Sequence, residues 1–219
     1  MWTRIHDVRN TGFVLVALCA MFALATAQTG QWESAPTAGD DVIGPAAGNQ
    51  QDPYIEKGGD MFLAVWVDDR TTVPGEVPEY ASQRDVYAVR LDASGNPIES
   101  VPFALSDDIA DQYDVRACWN GTNWLVTWNS YTPAPDHPYY PRGLEAVRVT
   151  PSGTVLDETP FLVYPSPVGS VVYLDTASDG TDWVVFLSEA IQSGMNTRYY
   201  LKAARVSSGG SLLGSPVTL

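Results

Sequence analysis

The stretch GTNWLVTWNSY at residues 121–131 occurs, with variations, three times in this chain. The other copies are GGDMFLAVWVDD at 58–69 and DGTDWVVFLSE at 179–189, and they align at steps of 62 and 59 residues. Self-similarity at a long, nearly constant period is the sequence signature of a repeat architecture. We therefore expect three tandem copies of one structural unit.

A second landmark supports the same repeat, because YAVRLDASGNPI at 87–98 recurs at 145–156 and 202–213. Each copy has an arginine five residues before a glycine, namely Arg90 and Gly95, Arg148 and Gly153, and Arg205 and Gly210. Residues that recur in every copy are expected to serve the architecture of the unit. The predicted units span 52–107, 108–165 and 166–219.

The middle copy shows the strands of one unit most clearly. Its predicted strands are DVRACW at 114–119, NWLVTW at 123–128, GLEAVRV at 143–149 and one within TVLDETPFLV at 154–163. The Asn-Gly of NGT and the PSG sequence mark tight turns, because glycine accepts a positive φ. The segment NSYTPAPDHPYYPR at 129–142 is rich in proline and tyrosine and is predicted to be a long connection.

These strands are apolar on both faces, so each sheet must be covered on both sides. A stack of four-stranded antiparallel sheets around an axis provides that cover, which predicts an all-β, β-propeller-like array of three blades. A β-sandwich is the alternative. Three blades form an incomplete ring, and QWESAPTA at 31–38 resembles the last strand of the first unit and is a candidate ring-closing strand.

The blade pattern resembles a repeat of secreted bacterial β-propeller proteins, G-x-x-[YFW]-L-V-V-W-x-D followed by I-Y-A-x-R-V-x-x-x-G. DMFLAVWVDDR and DVYAVRLDASG match it best, whereas the third copy has Leu187 at the tryptophan position. The resemblance covers nearly all of residues 52–219 and implies a propeller fold, in a truncated member of the family. It implies no catalytic residues, because these repeats serve many functions.

The N-terminus has the features of an export signal. Arg4 and Arg9 precede the apolar run FVLVALCAMFALA, and ATA follows at 25–27, which predicts a signal peptide over residues 1–27 and an N-terminal segment over 28–51. The mature chain would carry 10 basic and 25 acidic residues, a net charge of −15, which disfavours nucleic acid as a partner. The predicted location is secreted, periplasmic or in the bacterial cell envelope, with no transmembrane segment.

The long connections between strands are predicted to share one face of the ring, where function concentrates on a rigid scaffold. Their carboxylates and tyrosines suit a glycan or a hard cation such as Ca²⁺; no other cofactor is expected. The candidate ligand-binding residues are Asp68, Asp69, Tyr80, Asp107, Asp108, Asp111, Asp136, Tyr139 and Tyr140. The alternative interpretation is that Asp68 and Asp69 form an ion-pair network with Arg70.

Two potential catalytic residues have weak support. His137 is the only histidine outside the signal peptide, which leaves no multi-histidine metal site. Cys118 lies within a predicted strand, where a thiol is usually inert packing.

Three functions remain open at this stage. The chain is predicted to be a non-catalytic exported module that binds a glycan or an extracellular protein through its long-loop face. An exported glycoside hydrolase or lyase using paired loop carboxylates is the alternative, and a purely structural surface repeat is the third. The missing blades are expected to come from a longer chain or from another copy.

Overall fold

The computed structural model describes residues 49–70, 84–106, 110–134, 137–166, 169–193 and 195–219. Side chains are described for these residues except 132–142, 169–170, 172–173 and 193. All of the described residues belong to one compact unit, Thr37–Leu219. The predicted signal peptide and the candidate closing strand at 31–38 lie outside the described residues.

The described chain forms three four-stranded antiparallel sheets, each a meander of consecutive strands, which confirms the predicted blades. Blade 1 contains β1 (Gln50–Gly58), β2 (Met61–Asp68), β3 (Asp85–Leu91) and β4 (Phe103–Ala104). Blade 2 contains β5 (Asp111–Trp119), β6 (Trp124–Ala134), β7 (His137–Val149) and β8 (Phe161–Pro165). Blade 3 contains β9 (Gly169–Ser178), β10 (Trp183–Ser193), β11 (Asn196–Val206) and β12 (Val217–Thr218).

The blades stack face to face and bury their apolar side chains between them. Leu63, Val65 and Val67 of blade 1 pack in one cluster with Trp124 and Trp128 of blade 2. On the other side of blade 2, a second cluster packs residues such as Leu125 against Trp183 and Leu187 of blade 3. We call the face of a blade that contacts the next blade its leading face, and the face that contacts the preceding blade its trailing face.

The first strand of each blade lies nearest the axis, because β1 contacts β5 and β5 contacts β9. The tight β1–β2, β5–β6 and β9–β10 turns are at one end of these strands. The long connections and the extended hairpins are at the other end. The structure therefore gathers the starts of the three axial strands on the face where function was expected.

Two segments that were predicted to be connections continue the sheet. Residues 129–134 extend β6 and residues 137–142 extend β7; the two strands pair from Trp124↔Val149 to Ala134↔His137 with two register shifts. Residues 188–193 extend β10 and residues 196–198 extend β11, in unbroken register to Ser193↔Asn196. Proline in the first segment suggested a loop, but proline is compatible with strands at bulges, where a ladder hydrogen bond is already missing. Within the described ranges, no helix is long and apolar enough to cross a membrane.

Candidate functional site

The candidate site is the axial mouth, which we define as Gln51, Asp52, Tyr113, Asp114 and Asn129. The first two residues belong to β1, the next two to β5, and Asn129 to the adjacent strand β6. All five lie toward the end of the blades that carries the long connections. The site is therefore built on strands of two neighbouring blades rather than on loops.

Asp52 and Asp114 occupy equivalent positions in consecutive blades, 62 residues apart. Both have a left-handed backbone, with φ of 50° and 53° respectively. Each lies at a register shift of its axial strand, between Gln51 and Tyr54 in β1 and between Tyr113 and Arg116 in β5. Positive φ is uncommon for residues other than glycine, and such strain concentrates at functional sites.

Hydrogen bonds connect these two residues to each other and to blade 3. The Asp114 backbone N–H donates to Asp52 Oδ2 at 3.3 Å. Asn129 Nδ2 donates to Asp114 Oδ2 at 3.0 Å and to the Val171 carbonyl of β9 at 3.3 Å. The bulges thus place backbone and carboxylate groups of all three blades in one chain of contacts.

Asn129 also has an unused acceptor. Its side chain is almost fully buried, and Oδ1 has no hydrogen-bond partner among the described residues. A buried amide oxygen without a partner costs about 1–3 kcal/mol. This atom lies on the side chain that holds Asp114, and it is shielded from solvent.

Aromatic side chains lie beside the carboxylates. The rings of Tyr113 and Tyr131 meet edge to face, with their centroids 5.4 Å apart. The Arg84 guanidinium covers the Tyr113 ring at 3.7 Å from its centroid. Tyr131 donates a hydrogen bond to the Val171 carbonyl at 3.5 Å. Both tyrosines are half-buried, so part of each ring remains available for contact.

Asp111, one of the predicted site residues, is engaged in an ion pair rather than free. It is fully buried and accepts hydrogen bonds from Arg84 Nε at 2.9 Å and from the Tyr113 hydroxyl at 2.6 Å. Arg84 Nη1 in turn donates to Gln51 Oε1 at 3.3 Å. Asp111 thus positions the residues of the axial mouth without offering its own charge to a ligand.

Asp68 is in a similar environment. It is fully buried and accepts hydrogen bonds from the Arg70 guanidinium, from the Arg70 backbone N–H at 2.9 Å and from Trp66 Nε1 at 3.0 Å. Burial alone would raise the pKa of the Asp68 carboxyl, but the hydrogen bonds from Arg70 and Trp66 outweigh it and lower that pKa. The alternative of an ion pair with Arg70 is therefore confirmed for Asp68.

The other predicted residues are less fully described. Asp69 is partly exposed, and its carboxylate accepts hydrogen bonds from the Asn49 backbone and side-chain amides. Tyr139 and Tyr140 lie on β7, but nothing is described of their side chains. The remaining predictions, at Tyr80, Asp107, Asp108 and Asp136, lie outside the described residues. Among described side chains, no three of His, Cys, Asp or Glu meet as metal ligands would.

None of the five residues of the axial mouth is among the nine candidate ligand-binding residues. A signal for Asp52 was present, because it shares its repeat position with Asp114. No comparable signal exists for Asn129, whose role depends on its contact with Asp114 across the β5–β6 pair.

No protein-family model matches the chain, and comparison with curated proteins found no match. Among solved structures, the chain is similar to an endo-arabinase from Bacteroides thetaiotaomicron, at 14% identity and a TM-score of 0.48, covering 83% of this chain and 65% of that one. It is also similar to an alpha-L-arabinofuranosidase from Lactobacillus brevis, at 12% identity and a TM-score of 0.44, covering 77% and 57%. The chain spans less than two thirds of the length of either protein.

Proposed function

We propose that this chain is an exported, non-catalytic β-propeller module that binds neutral carbohydrate at the axial mouth. The observation that carries the proposal is the pair of carboxylates, Asp52 and Asp114, held at equivalent bulges beside the Tyr113–Tyr131 pair. Carboxylates accept hydrogen bonds from sugar hydroxyls, and aromatic rings pack against the apolar faces of sugars. Export is proposed from the predicted N-terminal signal peptide, with release from the cell or retention in its envelope.

The charge of the chain narrows the class of carbohydrate. The full sequence has 26 acidic and 12 basic residues, a formal net charge of −14. A surface with this excess repels polyanions, since like charges raise the free energy of association at moderate ionic strength. Neutral glycans are therefore favoured over uronic-acid-rich or sulfated ones.

The lowered pKa of Asp68 argues against a general-acid role for it, and the carboxylate of Asp111 is engaged by Arg84. A glycosidase needs one carboxyl group whose pKa is raised, so that it can donate a proton near neutral pH. Asp68 has the opposite shift, because Arg70 stabilises its ionised form, and Asp111 is bound to Arg84. These contacts make the two buried aspartates supports of the framework around the site.

A glycan array probed with the purified chain, with and without Ca²⁺, tests this proposal. We expect binding to neutral glycans that falls at least tenfold in Asp52→Asn, which keeps the side-chain shape and tolerates positive φ but removes the charge. Asp60→Asn, in the turn at the opposite end of β1, is the matched control and should bind normally. If glycan binding requires Ca²⁺, the site also binds a cation.

Two results would contradict the proposal. If no glycan binds under either condition, the purely structural interpretation is preferred. If reducing sugar is released from a bound glycan, and release stops in Asp52→Asn, the module is an enzyme and the axial carboxylates are catalytic.

A further inference from the structure

An arginine contact is repeated between the blades. Arg148 of blade 2 donates from Nη1 to the Ser208 carbonyl of blade 3 at 2.9 Å. Arg90 of blade 1 makes the same bond to the Pro151 carbonyl of blade 2. In each case the accepting carbonyl belongs to the turn between the third and fourth strands. We call this contact the arginine latch.

Each latch has two further parts. An acidic residue nine positions later holds the arginine, as Glu99 holds Arg90 and Asp157 holds Arg148. The turn of the next blade contributes a glycine against which the guanidinium packs. A Cβ at Gly153 would come within 2.9 Å of Arg90 Nε, and one at Gly210 within 2.8 Å of Arg148 Nε. The glycine is thus required by the neighbouring arginine as well as by its positive φ.

Among the described residues, one arginine and one glycine-containing turn have no latch partner in a neighbouring blade. Arg205 of blade 3 is equivalent to Arg148, but its side chain is 53% exposed. Its partners among the described residues are Asp182 at 3.3 Å and Asp179 at 3.9 Å, both in its own blade. Its counterpart is Gly95 of blade 1, which has a φ of +84° like Gly153 and nothing within 4 Å of an added Cβ. The latch is therefore open at both ends of the described array.

The leading face of blade 3 and the trailing face of blade 1 also expose apolar side chains that are buried at the equivalent positions of the other blades. Val65, Thr127 and Phe186 are equivalent residues on the three leading faces; the first two are buried, whereas Phe186 is 40% exposed. On the trailing faces, Trp128 and Leu187 are fully buried, but the equivalent Trp66 of blade 1 is only half-buried. A groove of about 500 Å³ lies on this face of blade 1, lined mainly by apolar residues including Ile55, Ala64 and Trp66.

We infer that two copies of this chain associate with the leading face of blade 3 against the trailing face of blade 1, in both directions. In this arrangement Arg205 of one copy latches onto the turn at 92–96 of the other, and Phe186 enters the groove beside Trp66. The interface continues one that the chain already makes twice. The charges of the two surfaces are also complementary. The turn that Arg205 would contact has the acidic Asp92 where the two internal turns have the neutral Thr150 and Ser207.

The blade count favours a pair of copies. The described residues of each chain provide three blades, so two copies contribute six blades to a ring related by a two-fold axis. Propellers close with about four to eight blades, a range that excludes the nine blades of three copies. A closed ring also removes exposed apolar faces that would otherwise promote aggregation, and it surrounds the axial mouth with six axial strands.

Sedimentation equilibrium of the purified chain over a range of concentrations tests the inference. We expect a reversible dimer, of about twice the 23.7 kDa of the full chain. Phe186→Glu places a charge in the interface and should give a monomer with an unchanged circular dichroism spectrum. Arg205→Ala should weaken dimerisation at least tenfold. Leu162→Glu, at an equally exposed position on the outer strand of blade 2, is the matched control and should remain dimeric.

Other outcomes would overturn the inference. A folded wild-type chain that stays monomeric would mean that the end faces are covered by other residues of this chain or by further blades. Trimers, open-ended polymers, or a Phe186→Glu variant that still dimerises would contradict the proposed pairing. These measurements require no glycan, so their outcome is independent of whether the chain binds carbohydrate.

Discussion

Arg84 and Asp111 join two blades through an ion pair, with 2.9 Å between Arg84 Nε and Asp111 Oδ1. Arg84 precedes the third strand of blade 1, and Asp111 is the first residue of blade 2. The Arg84 backbone N–H also donates to Asp111 Oδ1 at 3.1 Å, and the Gln112 N–H donates back to the Arg84 carbonyl at 3.0 Å. The pair therefore fixes the connection between the blades next to the axial mouth.

Asp111→Asn should destabilise the chain by about 3–5 kcal/mol, because it leaves the largely buried Arg84 guanidinium without its counter-charge. The measurement is the urea midpoint of unfolding at neutral pH. Asp60→Asn, at an exposed turn position, is the control and should change stability by less than about 0.5 kcal/mol. Equal effects of the two substitutions on the urea midpoint would contradict a stabilising contribution from the Arg84–Asp111 pair.

The stability contributed by Asp68 should depend on pH. Because folding lowers the pKa of this carboxyl, its ionised form stabilises the fold above the unfolded value of about 3.9. That contribution is lost as the pH falls through the lowered folded value. We expect the difference in urea midpoint between the wild type and Asp68→Asn to be largest near pH 7 and to shrink below about pH 4. A difference that stays constant or grows in acid would contradict the pKa shift.

Two buried tryptophans differ in one hydrogen bond. Trp183 Nε1 donates to the Cys118 carbonyl of the preceding blade at 2.9 Å, whereas Trp128 Nε1 has no partner among the described residues. Both side chains are fully buried. Replacement of each by phenylalanine removes similar volume. The Trp183 variant should lose about 1–3 kcal/mol more, because it removes a buried hydrogen bond, whereas the Trp128 variant removes a donor that has no partner among the described residues. Urea denaturation of the two variants measures this difference, and equal losses would contradict it.

Cys118 should be unreactive in the folded chain. Burial, with smaller contributions from Glu56 and Asp175, raises the pKa of its thiol to about 11. At pH 8 only about one thiol in a thousand is then the reactive thiolate. We expect slow labelling by a disulfide reagent under native conditions and rapid labelling of one additional thiol in urea, compared with Cys118→Ser as the blank. Rapid native labelling would show that this strand is accessible.

The repeat, the strand composition and the order of strands in each blade could be predicted from local patterns. Strands that are apolar on both faces need cover on both sides, and a recurring unit provides that cover with its own copies. The extension of β6, β7, β10 and β11 could not be predicted from the same patterns. Proline and glycine indicated loops there, but pairing across the hairpin stabilises the longer strands.

The candidate site, like the fold, could be predicted only in part from the sequence. The end of the blades that carries it followed from the connectivity of a meander, and Asp68, Asp69 and Asp111 were recognised as acidic residues near it. The sequence offered Arg70 as a partner for Asp68, but no neighbour of Asp111 reveals that it is paired with Arg84, which lies 27 residues away.

The periodic sequence of this chain specified which residues form each sheet, because strand formation depends on neighbours within one copy. Asp52 lies 62 residues from Asp114, and their backbone–carboxylate hydrogen bond exists only because the stacked blades bring the two bulges together. The same holds for the latch between Arg148 and Gly210. Contacts between blades depend on which faces meet and at what offset, and no pattern within one copy encodes that offset.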